Sequence, residues 1–171
     1  LKQPQVVFHG GELLLPTTLD EVATALKRLQ PAAVVVELPS NPMLRCVDLP
    51  GTAALAHAHG IPVIADDTIG TGINLNALSH CDLIFTSLTK SFAGRGDVMA
   101  GSLLISPQSA WSQQLMAAVT PVALLSDADA IALEAASRDV SDRVPRLDAN
   151  CLALAQRLSE HPGVEKLLHP S

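Results

Sequence analysis

The chain has no tyrosine, and aromatic residues make up only 2% of its 171 positions. It opens on leucine rather than methionine. Together these absences lead us to expect a segment of something longer. Basic residues are also scarce: 11 Lys and Arg stand against 17 Asp and Glu, for a net charge of -6. With no basic stripe to neutralise phosphates, nucleic acid is excluded as an expected partner. No apolar run approaches the roughly 18 residues a membrane-spanning helix needs, so no membrane partner is expected. Leu1-Lys2-Gln3-Pro4 leads straight into strand-like sequence, so no signal peptide is expected. Three cysteines, Cys46, Cys81 and Cys151, lie far apart without a CxxC pair. That spacing argues against zinc or a disulfide framework and for a reducing, cytoplasmic compartment. Each cysteine is expected to be a small core residue.

What is present is enough for one packed domain: 48% hydrophobic and 16% charged residues. Gln5 to His9 reads as a short strand. Thr18-x-x-Glu21 is a capping box opening an amphipathic helix over Leu19 to Leu29, with Pro31 after its end. Ala32 to Val36 is a β-branched run expected to be a strand buried on both faces. A two-proline loop follows, then a helix from Thr52 to His59 ending at Gly60. Strands are predicted at Pro62 to Ala65, Leu83 to Thr86 and Gly101 to Ile105, and a helix over Gln108 to Val119. From Asp127 to Glu160 the pattern is helical, with Pro145 expected to break or kink it. Val164 to His169 is strand-like. Alternating strands and helices imply an α/β fold with a mainly parallel, doubly wound sheet and helices on both faces. Residues 1–125 would form this sheet unit and 126–171 a connecting helix leading to a further domain.

In such sheets ligands sit beyond the carboxyl ends of the strands. Glu37, Asp66 and the string Ser87-Leu88-Thr89-Lys90 each follow an apolar strand directly. An amine there, once desolvated, is a nucleophile able to form a Schiff base. A carboxylate on the adjacent strand can keep a pyridinium nitrogen protonated. Of Asp66 and Asp67, neighbours in extended chain, one faces such a site and the other does not. Two hydroxyls one residue apart, Ser87 and Thr89, can hold a phosphate or instead satisfy backbone groups. Together these describe a seat for pyridoxal 5′-phosphate (PLP). Arg95 and Asp97 pair with each other or face solvent. His57 and His59 read as surface or core histidines, because no partner stands at metal-ligand spacing.

Glu37-x-Pro39-x-Asn41-Pro42, Asp66-Asp67-Thr68, Ser87-x-Thr89-Lys90 and Gly94-x-Gly96-Asp97-Val98-Met99-x-Gly101, in that order, resemble the Cys/Met-metabolism PLP-dependent enzymes. This is the transsulfuration family of cystathionine γ-synthase, cystathionine lyases and methionine γ-lyase. The likeness runs from about residue 5 to the end. It includes the tail Arg143-x-x-Arg146-x-x-x-Asn150, and the wording is most similar to the fungal-type cystathionine γ-synthase branch. Most other members carry Asn where Asp67 stands. The resemblance implies the large domain of the fold type I PLP enzymes, in part. It implies Lys90 as Schiff-base lysine, Asp66 as pyridinium partner, Ser87 and Thr89 on the phosphate, and Asn41 near the ring hydroxyl. Glu37 would support its loop rather than catalyse.

The implied reaction is loss of a γ-substituent from an amino acid and addition of a thiol such as cysteine, or of water in the lyases. It further implies amino-acid substrates and a homo-oligomer. The ring-stacking tyrosine, the neighbouring subunit's phosphate contacts and the substrate-carboxylate arginine of the family would lie outside these residues. The chain alone is therefore expected to bind PLP weakly and to be inactive. Competing readings are a lyase or acylhomoserine sulfhydrylase of the same family, and a non-catalytic remnant of the fold. A phosphoacceptor receiver fails on order: its acidic pair belongs near the start, with a separate acceptor Asp before the hydroxyl and lysine.

Overall fold

In a computed structural model of the chain, residues 6–9, 18–120 and 123–169 are described. Of the first predicted strand, Gln5 lies outside the described residues, and β1 spans Val6–His9. Thr18 opens α1 (Leu19–Leu29) through the expected reciprocal cap. Its hydroxyl accepts the Glu21 N–H at 3.2 Å while the Glu21 carboxylate accepts the Thr18 N–H at 3.0 Å. Asp20 and Glu21 at one end and Lys27 and Arg28 at the other complement the helix dipole. Removing the hydroxyl orphans an N–H of the first turn. Thr18→Ala should therefore lower stability by about 1 kcal/mol, read as a shifted urea midpoint; an unchanged midpoint would remove the cap from the account.

The sheet is α/β and mainly parallel, as the pattern predicts. β1, β2 (Ala33–Glu37), β3 (Val63–Asp66) and β4 (Leu83–Ser87) run parallel in that spatial order, and β5 (Gly101–Ile105) closes the row antiparallel to β4. α1 and α2 (Leu49–Ala58) pack against each other and share the core with the sheet. Val22 and Leu26 from α1 and Ala53 and Ala56 from α2 meet Val34, Val36, Val63, Ala65 and Ile84 of the strands. Each fully buried valine or leucine here contributes on the order of 1.5–3 kcal/mol. The expectation of double-sided burial for the second strand is corrected: Val34 and Val36 are fully buried, but Val35, between them, is only half-buried. Ile64 and Phe85 share that half-buried state. The helices press on one face, so burial alternates with the pleat.

α2 begins at Leu49, three residues before the predicted Thr52. Pro50 and Gly51 join the helix ahead of the predicted start, because proline in a first turn lacks only an N–H that would be unpaired anyway. The Asp48 carboxylate supplies the cap, accepting the Gly51 N–H at 3.0 Å. The helix ends as expected, with Gly60 at φ 71°. α3 is shorter than predicted, Ser112–Val119. The reason lies at Ser109, whose hydroxyl accepts the Trp111 N–H at 3.1 Å and donates to Asp82 at 2.7 Å. The Gln108-to-Trp111 stretch is thereby held as a turn.

The C-terminal helical stretch divides elsewhere than at its proline. α4 (Asp127–Ser137) and α5 (Val140–Ser159) separate at Arg138–Asp139, while Pro145 sits inside α5 on an exposed position. There the carbonyl that proline leaves unbonded can turn to water. Val164 to His169 forms no strand among the described residues and follows α5 without regular secondary structure. Only Cys81 is a buried cysteine, its thiol pushed up to about 12 by burial first and then by the charges of Asp82 and Asp67. Cys46, in the loop after β2, and Cys151, on α5, are exposed, contrary to expectation.

Candidate active site

Register places the chemistry on one edge. Glu37 pairs with Asp66, and Asp66 with Phe85, two residues before Ser87. The carboxyl ends of β2, β3 and β4 therefore emerge side by side. After Ser87 the chain enters a wide helical turn, Leu88–Phe92. Its first residues are tied to the approach of β5: the Leu88 N–H reaches the Ala100 carbonyl at 2.9 Å, and the Thr89 hydroxyl accepts the Ala100 N–H at 3.1 Å. Lys90 breaks the helical path, with φ −78° and ψ −124°. The turn closes again through Ala93 N–H to Leu88 O at 2.9 Å and Gly94 N–H to Lys90 O at 2.7 Å, and Gly94 reverses the chain at φ 73°. Lys90 is thus a single displaced residue in an otherwise bonded turn. Its side chain is exposed rather than desolvated as expected, because the kink carries it to the rim of the turn.

The adjacent acids separate as extended geometry requires. Asp66 is half-buried at the edge, and one carboxylate oxygen accepts the Thr68 N–H at 3.0 Å. Thr68 in turn accepts the Ser87 N–H on its hydroxyl at 2.9 Å, fastening the end of β3 to the end of β4. Asp67 points the other way, continuing the buried face of Val63 and Ala65, and is 1% exposed. One of its oxygens accepts the Gly72 N–H at 2.8 Å; the other is buried without a partner among the described residues. It lies against Gly70, where a Cβ would stand 1.9 Å from it. Burial pushes the Asp67 carboxyl up to about 6, opposed by the Gly72 N–H and reinforced by the charge of Asp66.

A raised acid carries a defined pH signature. Below about pH 4 both folded and unfolded chains hold the Asp67 proton. Between about 4 and 6 the unfolded chain loses it first, so stability falls as pH rises and then levels off. Over the roughly two units up to about 6, at about 1.4 kcal/mol per unit, Asp67→Asn should come close to the parent near pH 4 and exceed it by roughly 3 kcal/mol at pH 7.5. Urea denaturation at both pH values checks this, and an equal difference at the two sinks it.

The other predicted residues fall unevenly. The Ser87 hydroxyl is half-buried with no hydrogen-bond partner among the described residues, so it is available to a ligand. The Thr89 hydroxyl accepts from Ala100, and its own proton has only the Ala100 carbonyl at 3.5 Å. Asn41 is exposed in the loop after β2, which Ser40 staples by bonds to and from Arg45 and Leu44. The Glu37 carboxylate makes no hydrogen bond among the described residues, so the loop it was expected to support is held by Ser40 instead. Arg95 and Asp97 are exposed and form no ion pair among the described residues. His57 sits at the opposite edge, bonded to Asp82. Sequence reasoning gave no role to Thr68, whose signal is a hydroxyl two residues after an aspartate that caps its N–H. It gave none to Arg143, which no local pattern connects with residue 90. Among the described residues no group of three His, Cys, Asp or Glu could hold a metal, and no helix is long and apolar enough to cross a membrane.

A half-buried carboxylate, an unpartnered hydroxyl and an exposed amine on one sheet edge fit what a phosphorylated pyridine aldehyde needs: a partner for a ring cation, a phosphate donor and a covalent anchor. Comparison with known proteins agrees with this chemistry. The family model for Cys/Met metabolism PLP-dependent enzymes matches residues 12–171. The chain belongs to that family. It is 36% identical over 167 residues to a cystathionine gamma-synthase of Neurospora crassa, covering 95% of this chain and 26% of that protein. It is 34% identical over 171 residues to an L-2-amino-4-chloropent-4-enoate dechlorinase/desaturase of Streptantibioticus cattleyicolor, covering 96% of this chain and 34% of that protein. Among solved structures, a methionine gamma lyase from Micromonospora echinospora in its apo form superposes with a TM-score of 0.84 at 28% identity, covering 99% of this chain and 52% of that one. The chain thus spans about a quarter to a third of the length of these curated relatives.

Proposed function

We propose that the chain is the central part of a PLP-dependent transsulfuration enzyme that replaces the γ-substituent of an O-acylhomoserine with cysteine, giving cystathionine. The observation that carries this reading is the division of labour at the end of β3: Asp66 stays at the edge shared with Ser87 and the lysine turn, while Asp67 is buried away from it. Similarity to the Neurospora cystathionine gamma-synthase supports the choice of reaction. When bound, PLP supplies an electron sink for charge developing at the amino-acid Cα.

The rest falls to this chain's residues. Lys90 would anchor the cofactor and, with its amine freed when the substrate amine takes its place, would take the Cα proton, then a Cβ proton as the γ-substituent leaves, and return a proton to each carbon after the thiol has added. Its exposed rim position lets the amine swing between these atoms. Asp66 would hold the ring nitrogen protonated, with one carboxylate oxygen kept fixed by the Thr68 N–H. Ser87 would donate its free hydroxyl to the phosphate, and Thr89 would add the proton it does not spend firmly on Ala100. Asn41, in the loop after β2, would be the residue toward the ring hydroxyl, as the family likeness implies. Amino acids are the small-molecule substrates, the working form is a homo-oligomer, and the location is cytoplasmic. Residues 1–125 form the cofactor unit and 126–171 the connection to a further domain.

The second reading, a lyase or sulfhydrylase, draws on the methionine gamma lyase likeness. Product analysis separates the two, using the protein that carries these residues with PLP, an O-acylhomoserine, and cysteine present or absent. Cystathionine formed only with cysteine is expected. Oxobutyrate as the sole product in both arms overturns the synthase reading, and no turnover in either favours the non-catalytic remnant.

A further inference from the structure

Arg143, on the second turn of α5, reaches back across more than fifty residues to the turn that carries Lys90. Its Nη2 donates to the Phe92 carbonyl at 2.6 Å and to the Ser91 carbonyl at 3.4 Å. Its Nη1 donates to the Ala136 carbonyl at 3.3 Å and to the Asp139 carboxylate. The guanidinium lies over Gly94, where an added Cβ would stand 3.0 Å from Cζ. The Arg143 side chain is only 16% exposed, against 56% for Asp139. One planar fork therefore joins the end of α4, the start of α5 and the two carbonyls immediately after Lys90.

We propose that Arg143 is a positioning residue for Lys90: it holds the Ser91 and Phe92 carbonyls and so fixes the kink on which the lysine is displayed. The proposal rests on the reading of Lys90 as the cofactor lysine. The physical case is a shortage of other restraints. The front of the turn is bonded to Ala100, but the described structure bonds the Ser91 and Phe92 carbonyls to Arg143 alone. Like the last carbonyls of a helix, they need an outside donor. A charged guanidinium that donates to two adjacent carbonyls restrains a direction as well as a distance. Without it, Leu88–Gly94 keeps its two closing bonds, but the segment between them can twist and Lys90 loses its fixed heading.

The test compares the parent chain with Arg143→Ala and Arg143→Lys by two measurements. Amide hydrogen exchange reads the Ala93 and Gly94 N–H groups that close the turn. Pyridoxal phosphate labelling with borohydride, followed by peptide mapping, reads Lys90 against Lys27, an exposed lysine on α1 used as an internal control. In Arg143→Ala we expect both amides to exchange about tenfold faster, with α1 and α2 amides unchanged. The Lys90-to-Lys27 labelling ratio should fall about tenfold, since a lost charged hydrogen bond carries an effect of that order. Arg143→Lys, which restores charge but not the fork, should fall between. It also keeps the proposal testable if the alanine variant does not fold. Unchanged exchange at Ala93 and Gly94 overturns the proposal. Faster exchange with an unchanged labelling ratio also overturns it, because Arg143 would then hold the turn without directing the lysine. If the parent itself labels Lys90 no faster than Lys27 while the exchange difference appears, the cofactor reading fails and the hold of Arg143 on the turn stands.

Discussion

Replacing Lys90 with alanine is expected to abolish the covalent, borohydride-fixable attachment of pyridoxal phosphate and the visible absorbance that accompanies it. The argument is one of chemistry and position. Only a primary amine can condense with the cofactor aldehyde, and lysine is the side chain that carries one. Lys90 stands three residues beyond the free Ser87 hydroxyl, one strand from Asp66, on a turn bonded at both ends. The substitution removes an exposed side chain that makes no hydrogen bond or ion pair within the described structure, so stability should change by less than about 0.5 kcal/mol. Lys90→Arg should behave like alanine toward the cofactor, since a guanidinium keeps its charge at any working pH and does not condense. Spectra and peptide mapping of parent and variants decide the matter. A band and a label that persist in Lys90→Ala would show that another amine anchors the cofactor. A loss of folding in that variant would instead make the lysine structural.

The largest expected effect on stability comes from the opposite edge of the sheet. Asp82 is 3% exposed on its side chain and has both oxygens engaged. One accepts the Val63 N–H at 2.7 Å and lies 2.9 Å from His57 Nε2; the other accepts the Ser109 hydroxyl at 2.7 Å. This one carboxylate ties the start of β3 to α2 and to the turn before α3. Asp82→Ala leaves the buried Val63 N–H without a partner, opens space beside Cys81 and frees Ser109. A loss of about 3–5 kcal/mol is expected, a large share of the 5–15 kcal/mol typical of a domain. Asp82→Asn keeps one acceptor and should lose about 1–2 kcal/mol. His57→Ala should lose less than Asp82→Ala, because the His57 side chain is 40% exposed and water can replace it. Urea midpoints in the three variants check the order. A loss below 1 kcal/mol in Asp82→Ala would mean the network carries little of the fold.

Much of the architecture was legible from local pattern. The capping box at Thr18, the β-branched run before Glu37 and the glycine at position 60 each encode their structure within a few residues, so α1, β2 and the end of α2 fall where they are read. The errors share one cause. Proline's general dislike of helices sets the expectation of a break at Pro145, whereas its exposed position removes the objection. Cys46 and Cys151 were assigned to the core by residue type, but their exposure depends on which way a loop and a helix face turn. Val164 to His169 has strand-like composition and forms no strand among the described residues.

The candidate site divides along the same line. That Asp66, Ser87, Thr89 and Lys90 gather on one edge follows from sequence alone, because each ends an apolar run and parallel strands deliver their carboxyl ends together. The family, too, is written in those ordered strings. Which aspartate turns inward was open, since alternation along a strand fixes that two neighbours differ but not which faces the core. Packing decides it, by setting Val63 and Ala65 in the core beneath the helices and Asp67, on the same face, against Gly70 and the Gly72 N–H. The bond from Thr68 to Ser87, the Asp82 network and the reach of Arg143 to the lysine turn join residues 19 to more than 50 positions apart. No local periodicity records such pairings. They exist only once the strands are in register and α5 is laid against the turn.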